Sequence, residues 1–345
     1  MIRKKRMGKG IAKILSGLLV FGMVAGVVPA VPGGTVHAKA EGESEQNVTA
    51  AGNPEHKHCV CGTGELTAGN CSHEEKEWTG ISDLNGITGE GYYYLTQEVT
   101  IDSAWECPNG VTLCLNGYSI TREGNDEQKI YDVGGNAVIK INNSISFALT
   151  DCQKTVGTIT HKAGVSGEGV YNAGKFTMYN GKLSGNNGGV TNQRTFEMYG
   201  GTICQNTAEY GGGVYNKDTG TFNMYSGTIT DNTASTGYYD GGGGVCNEGM
   251  FSMSGGHIFQ NKSTNHGGGV NNGSGTFEMS GGEISKNTTT NRGGGVFNKG
   301  GTFIMSDAAK ISENKAMCGG GVYKESGTFT MSGGTITGNT AAGSA

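Results

Sequence analysis

Glycine supplies 65 of the chain's 345 residues, proline only four, and charged residues only 16%, well away from the composition of an ordinary globular domain. So few prolines exclude a collagen, and the fixed recurrence of Phe, Tyr, Val, Ile and Thr excludes a disordered chain. The net charge is −5 and falls to −12 (18 basic against 30 acidic residues) without residues 1–40, which disfavours phosphate backbones and so excludes nucleic acid as a partner.

Residues 1–40 read as a signal peptide. Arg3, Lys4, Lys5, Arg6, Lys9 and Lys13 precede a mostly apolar run from Ile14 to Val31, and Ala38-Lys39-Ala40 offers an A-x-A cleavage site. The chain is therefore expected outside the cell, secreted or on the cell surface or wall. The membrane would be a partner only through this segment, if it stays uncleaved. A flexible linker follows over 41–54.

Residues 55–77 form a Cys/His-rich knuckle. His56, His58, Cys59, Cys61, Cys71 and His73 fall within 18 positions. Thiolate and imidazole are the donors that tetrahedral zinc prefers, so a structural zinc is one reading. A Cys59–Cys71 or Cys61–Cys71 disulfide with solvated histidines is the other. The nine cysteines of the chain are otherwise scattered singly, unlike a disulfide framework.

From 78 to 345 the spacing predicts one solenoid, with irregular coils first and regular repeats over 165–345. Runs at Tyr92–Ile101, Val111–Ile120, Ala137–Ile141 and Phe147–Thr150 read as strands. Val170, Val190, Val214, Val245, Val270, Val296 and Val322 then open seven units of about 26 residues. Each unit holds a Phe-x-Met pair, from Phe176/Met178 to Phe329/Met331. Next comes an apolar residue (Leu183 or Ile), and three positions later Asn186, Asn206, Asn232, Asn261, Asn287, Asn314 or Asn339. Phe and Met two apart share a strand face, not a helix face. The unit is thus three short strands, G-V-x-N, T-F-x-M and x-I-x-x-N, separated by glycine corners. The fold class is all-β, a single-stranded right-handed parallel β-helix with about seven regular coils.

Identical asparagines should stack up the solenoid, and Asn172, Asn192, Asn216, Asn247, Asn272 and Asn298 form a second such column that Lys324 breaks. A leucine-rich repeat has a similar period but needs several Leu per unit, and Leu183 is the only Leu beyond residue 150. The last unit stops six residues after Asn339, so an open strand edge is expected there.

The strings YYLTQEVTI, GVTLCLNGYSIT, ALTDC and GTIT resemble the opening coils of pectin-lyase-like β-helix proteins of Gram-positive bacteria. GGGVYN and TFTMSGGTITGN are similar to their tandem repeats, and more distantly to those of chlamydial polymorphic membrane proteins. The resemblance covers about 78–345. It implies a β-helix on a cell surface or in secretions, often with an adhesive role.

Relatives of this fold that cleave polysaccharide cluster Asp residues. Here Asp151, Asp218, Asp231, Asp240 and Asp307 occupy different repeat positions, and there is no Asp-Asp dipeptide. No catalytic set is assigned. Ligand-binding candidates are the outward Tyr179, Tyr199 and Tyr225 on successive coils, and Tyr238, Tyr239 and Asp240 in the longest corner insertion. Stacked aromatics that only stabilise their ladder are the simpler reading of the first three. Tyr171, Tyr215, Phe297 and Tyr323 are read as further outward aromatics. The function expected is a non-enzymatic adhesion, binding or spacer module for glycans or host matrix proteins; the alternative is a polysaccharide lyase or glycoside hydrolase.

Overall fold

The computed structural model describes residues 56–60, 74–124, 134–235 and 241–343. The signal-peptide and linker readings over 1–54 lie outside them. The described chain from Thr79 onward is a parallel β-helix: every pairing between its named strands is parallel, and each links one coil to the next.

In each regular coil the chain runs through three sheets in turn. The Val-x-Asn strands build a 9-stranded sheet, the Phe-x-Met strands an 11-stranded sheet, and the Leu/Ile strands a 10-stranded sheet. Register is identity on identity, as in Phe222↔Phe251, Val245↔Val270 and Ile258↔Ile284. That register follows from the period of 2: a slip of one residue would turn every inward side chain to solvent.

A fourth strand per coil was not expected. Thr207–Ala208, Thr233–Ala234, Lys262–Ser263, Thr288–Thr289, Lys315–Ala316 and Thr340–Ala341 form a 6-stranded sheet just after the second asparagine column. Two-residue strands are too short to show an alternation. The long strands read in the first coils also divide. Tyr92–Ile101 is Gly91–Leu95 and Val99–Ile101, in different sheets, and Val111–Ile120 splits around Asn116 and Gly117, both at positive φ.

The interior is a single apolar column. Phe176, Phe196, Phe222, Phe251, Phe277, Phe303 and Phe329 stack with ring centroids 4.6–4.9 Å apart. This is the spacing of adjacent strands. At the first end, Ile81, Leu84 and Ile87 enter the same column through a short 3-10 turn over Leu84–Gly86. In the final coil Met331 and Ile336 are exposed.

Both asparagine columns form as expected. Asn172, Asn192, Asn216, Asn247 and Asn272 each pass an amide N–H to the next Oδ1 at 2.7–2.8 Å, ending on Asn298. In the second column each Asn Oδ1 from Asn206 onward accepts both the amide and the backbone N–H of the preceding coil's Asn, for example Asn232 from Asn206. The residue before that asparagine sits in the left-handed region in every regular coil. It is glycine at Gly185 and Gly338, but Gln205, Asp231, Gln260, Lys286 and Glu313 take it elsewhere at φ 54–57°. The glycine before each repeat valine answers a different need. A Cβ on Gly269 would lie 2.7 Å from the Gly295 oxygen, 2.8 Å from Ile284 and 2.9 Å from the Asn287 amide.

Candidate metal centre and outer faces

The knuckle contributes a two-stranded ribbon, Lys57–His58 antiparallel to Lys76–Glu77. Trp78 Nε1–H closes it by donating to the His58 carbonyl at 3.0 Å. Strand alternation places His56 and His58 on one side. Each imidazole lies on an aromatic ring: His58 on Trp78 (centroids 4.2 Å) and His56 on Tyr94 (4.0 Å).

The surface they meet belongs to the 11-stranded sheet. Tyr94 and Cys114 are register partners on neighbouring strands, one position past the inward pair Tyr93 and Leu113, so they face out of the helix. An outward Cys114 that is fully buried requires a cover. The ribbon supplies it: Trp78, Tyr94 and Cys114 make a second apolar cluster, with Tyr92 and Cys152 against it.

Cys152 arrives from the next coil, two residues past the strand Ser146–Thr150. The buried carboxylate of Asp151 accepts backbone N–H bonds from Gln153 (2.8 Å), Gly157 (2.7 Å) and Gly117 (3.2 Å). These bonds pin the corner that carries Cys152. Burial still raises the Asp151 pKa, opposed by those same bonds.

Four donor atoms of His56, His58, Cys114 and Cys152 lie within 4.8 Å of one another. The two sulfurs are 3.6 Å apart, the two Nε2 atoms 3.0 Å, and Cys152 Sγ is 3.7 Å from His56 Nε2. Nδ1 of His58 donates to the Cys59 carbonyl at 2.6 Å. A carbonyl can only accept, so Nδ1 carries a proton and Nε2 is the nitrogen that faces the cluster. The Cys152 thiol is pulled down to about 4, chiefly by the Cys114 S–H bond and then by His58 and His56. The same bond, with burial, pushes Cys114 up. Burial lowers His56.

Of the six residues in the sequence-predicted zinc set, His56 and His58 take part. Cys59 offers its carbonyl to His58, and its sulfur is not among the four donors. Cys61, Cys71 and His73 lie outside the described residues. Cys114 and Cys152 were not grouped with the knuckle, being 56 and 94 residues beyond His58. The signal for Cys114 was an apolar strand, V-T-L-C, whose cysteine falls on the outward face.

The tyrosine row is present as a stack, with Tyr179–Tyr199 centroids 5.4 Å and Tyr199–Tyr225 centroids 4.6 Å apart. Tyr199 is buried between half-buried neighbours. Two other outward aromatics are covered rather than displayed. Phe297 is buried under His266 (centroids 4.4 Å), and the Tyr171 ring lies 2.4 Å from where a Gly134 Cβ would stand. Tyr238, Tyr239 and Asp240 lie outside the described residues.

Outside the 9-stranded sheet runs an open groove of about 520 Å³, lined among others by Tyr210, Glu248, Asn271, Lys299 and Glu325. The Tyr215 hydroxyl donates to Glu248 at 2.8 Å, and Arg292 pairs with Glu325 at 2.8 Å while lying over the Tyr323 ring. On its floor the buried Asn271 Oδ1 has no hydrogen-bond partner among the described residues.

Fold and repeat define a parallel β-helix repeat protein. No family model, curated protein or solved structure matches the chain. Among the described residues no helix is long and apolar enough to cross a membrane.

Proposed function

We propose that this protein is a secreted or surface-displayed β-helix that acts as a non-enzymatic adhesion or spacer module. The observation that carries the reading is the groove outside the 9-stranded sheet. It joins a rigid floor, an unsatisfied buried amide oxygen, charged groups of both signs and the flanking Tyr215 and Tyr323. Flat aromatic faces beside polar donors and acceptors suit sugars or polar protein segments. Asp151, the buried carboxylate among the described residues, is committed to three backbone N–H groups, which speaks for a structural role. The resemblance to surface β-helices points the same way.

The test is retention of the mature protein on a panel of glycans and matrix proteins, with release of unsaturated or reducing ends measured in parallel. The reading expects retention without release, weakened at least tenfold by Glu248→Ala with Lys299→Ala. If Tyr238→Ala with Tyr239→Ala weakens it instead, the site moves to the long corner. Product release would favour the lyase or hydrolase alternative, and no retention on any surface would leave a spacer.

A further inference from the structure

We propose that His56, His58, Cys114 and Cys152 bind one zinc-type divalent cation, which clips the segment before the first coil to the outer face of two successive coils. The inference is independent of what the groove binds.

Three observations converge on it. The donors are two imidazoles and two sulfurs, the set that tetrahedral zinc selects. Bond lengths of about 2.3 Å to sulfur and about 2.05 Å to nitrogen imply tetrahedral edges of about 3.8 Å between sulfurs and about 3.4 Å between nitrogens. The observed 3.6 Å and 3.0 Å need shifts of only a few tenths of an ångström, and the widest separation in the set, 4.8 Å, closes by about 1 Å on binding. A disulfide would require the sulfurs to close to about 2.05 Å.

The surroundings are those of a held ligand set. The Cys59 carbonyl fixes the His58 tautomer, as an outer partner does for a metal-bound imidazole. Trp78 and Tyr94 set the planes of the two rings, and Asp151 fixes the corner beside Cys152. Separate parts of the chain therefore deliver four oriented donors to one point. Four protein donors leave no open position, so the site is structural. Binding displaces whatever protons the two thiols retain, leaving two thiolates and two neutral imidazoles around the cation.

The experiment uses the full mature chain, purified with zinc and without chelator. Elemental analysis should show one equivalent of zinc lost in both Cys152→Ser and His58→Ala. Alkylation followed by peptide mapping should find Cys114 and Cys152 protected until a chelator is added. With cobalt(II) in place of zinc, the wild type should show tetrahedral d–d bands and a thiolate charge-transfer band, both lost in Cys152→Ser. The alkylation arm uses wild type only, so a folding defect in a variant cannot mimic the result. Zinc content unchanged by Cys152→Ser, or a Cys114–Cys152 disulfide in zinc-replete protein, would overturn the proposal.

Discussion

The first coils, through His161, and the regular coils that follow share one apolar column but are held together by different means. In the regular coils each residue meets its own copy. Phe stacks on Phe, and Asn bonds to Asn along both columns. Among the described residues of the first coils there are no such amide ladders, and single polar anchors stand in their place. Arg122 is buried with Nη1 on the Gly135 and Ala137 carbonyls, Asp151 gathers three backbone N–H groups, and His161 bridges Asn186 and the Asn136 carbonyl. Repetition spreads stability over many equivalent contacts, so each coil rests on its neighbours. Irregular coils concentrate it in a few residues, and the four-donor cluster stands at that end.

The comparison predicts where substitutions hurt. Phe251→Ala, in mid-stack and fully buried, should cost about 3–5 kcal/mol. Phe329→Ala, at a half-buried ring in the last coil, should cost less than half as much in denaturant titration. Equal losses would mean that stacking is not the source. Asn232→Ala should cost about 2–4 kcal/mol, because it leaves the Asn206 backbone N–H and the Ile203 carbonyl without their partner. Asn339→Ala at the column's end should cost about 1 kcal/mol or less.

A pH titration sharpens the contrast from the other side. Burial lowers the His161 pKa, and the Arg122 charge acts in the same direction against its two hydrogen bonds. Below the ordinary imidazole value of about 6.5 the unfolded chain binds a proton that the folded chain resists. The contribution of His161 is thus complete above that pH and lost as pH falls through it toward the lower folded value. His161→Gln should flatten the fall in unfolding midpoint on acidification. Equal slopes for wild type and His161→Gln would remove His161 as an anchor. One small effect is a gain. Lys286→Gly relieves a left-handed backbone at φ 57° and should stabilise by about 1 kcal/mol.

The contrast also sets what was legible beforehand. Seven copies of Val, Phe-x-Met and Asn gave the period, the inward face and both amide columns, including the break at Lys324. The left-handed position before Asn was hidden because Gln, Asp, Lys and Glu fill it as well as glycine. In the first coils no repeat averages out local ambiguity, so Tyr92–Ile101 read as one strand although a corner divides it. The knuckle histidines were legible as donors. Cys114 and Cys152 were not, because ligands brought together by stacking of coils leave no short spacing in the chain. Outward aromatics were legible as outward, but burial of Phe297 and Tyr171 depends on His266 and the turn at Gly134.

The most direct test of this division is amide hydrogen exchange of the mature chain, zinc-loaded and after chelation. The account predicts that chelation deprotects the Lys57–His58 and Lys76–Glu77 ribbon and the strands Gly91–Leu95 and Val111–Cys114. Protection of the coils between Val214 and Ser312 should stay unchanged. Uniform loss along the whole solenoid, or no change at the ribbon, would contradict it.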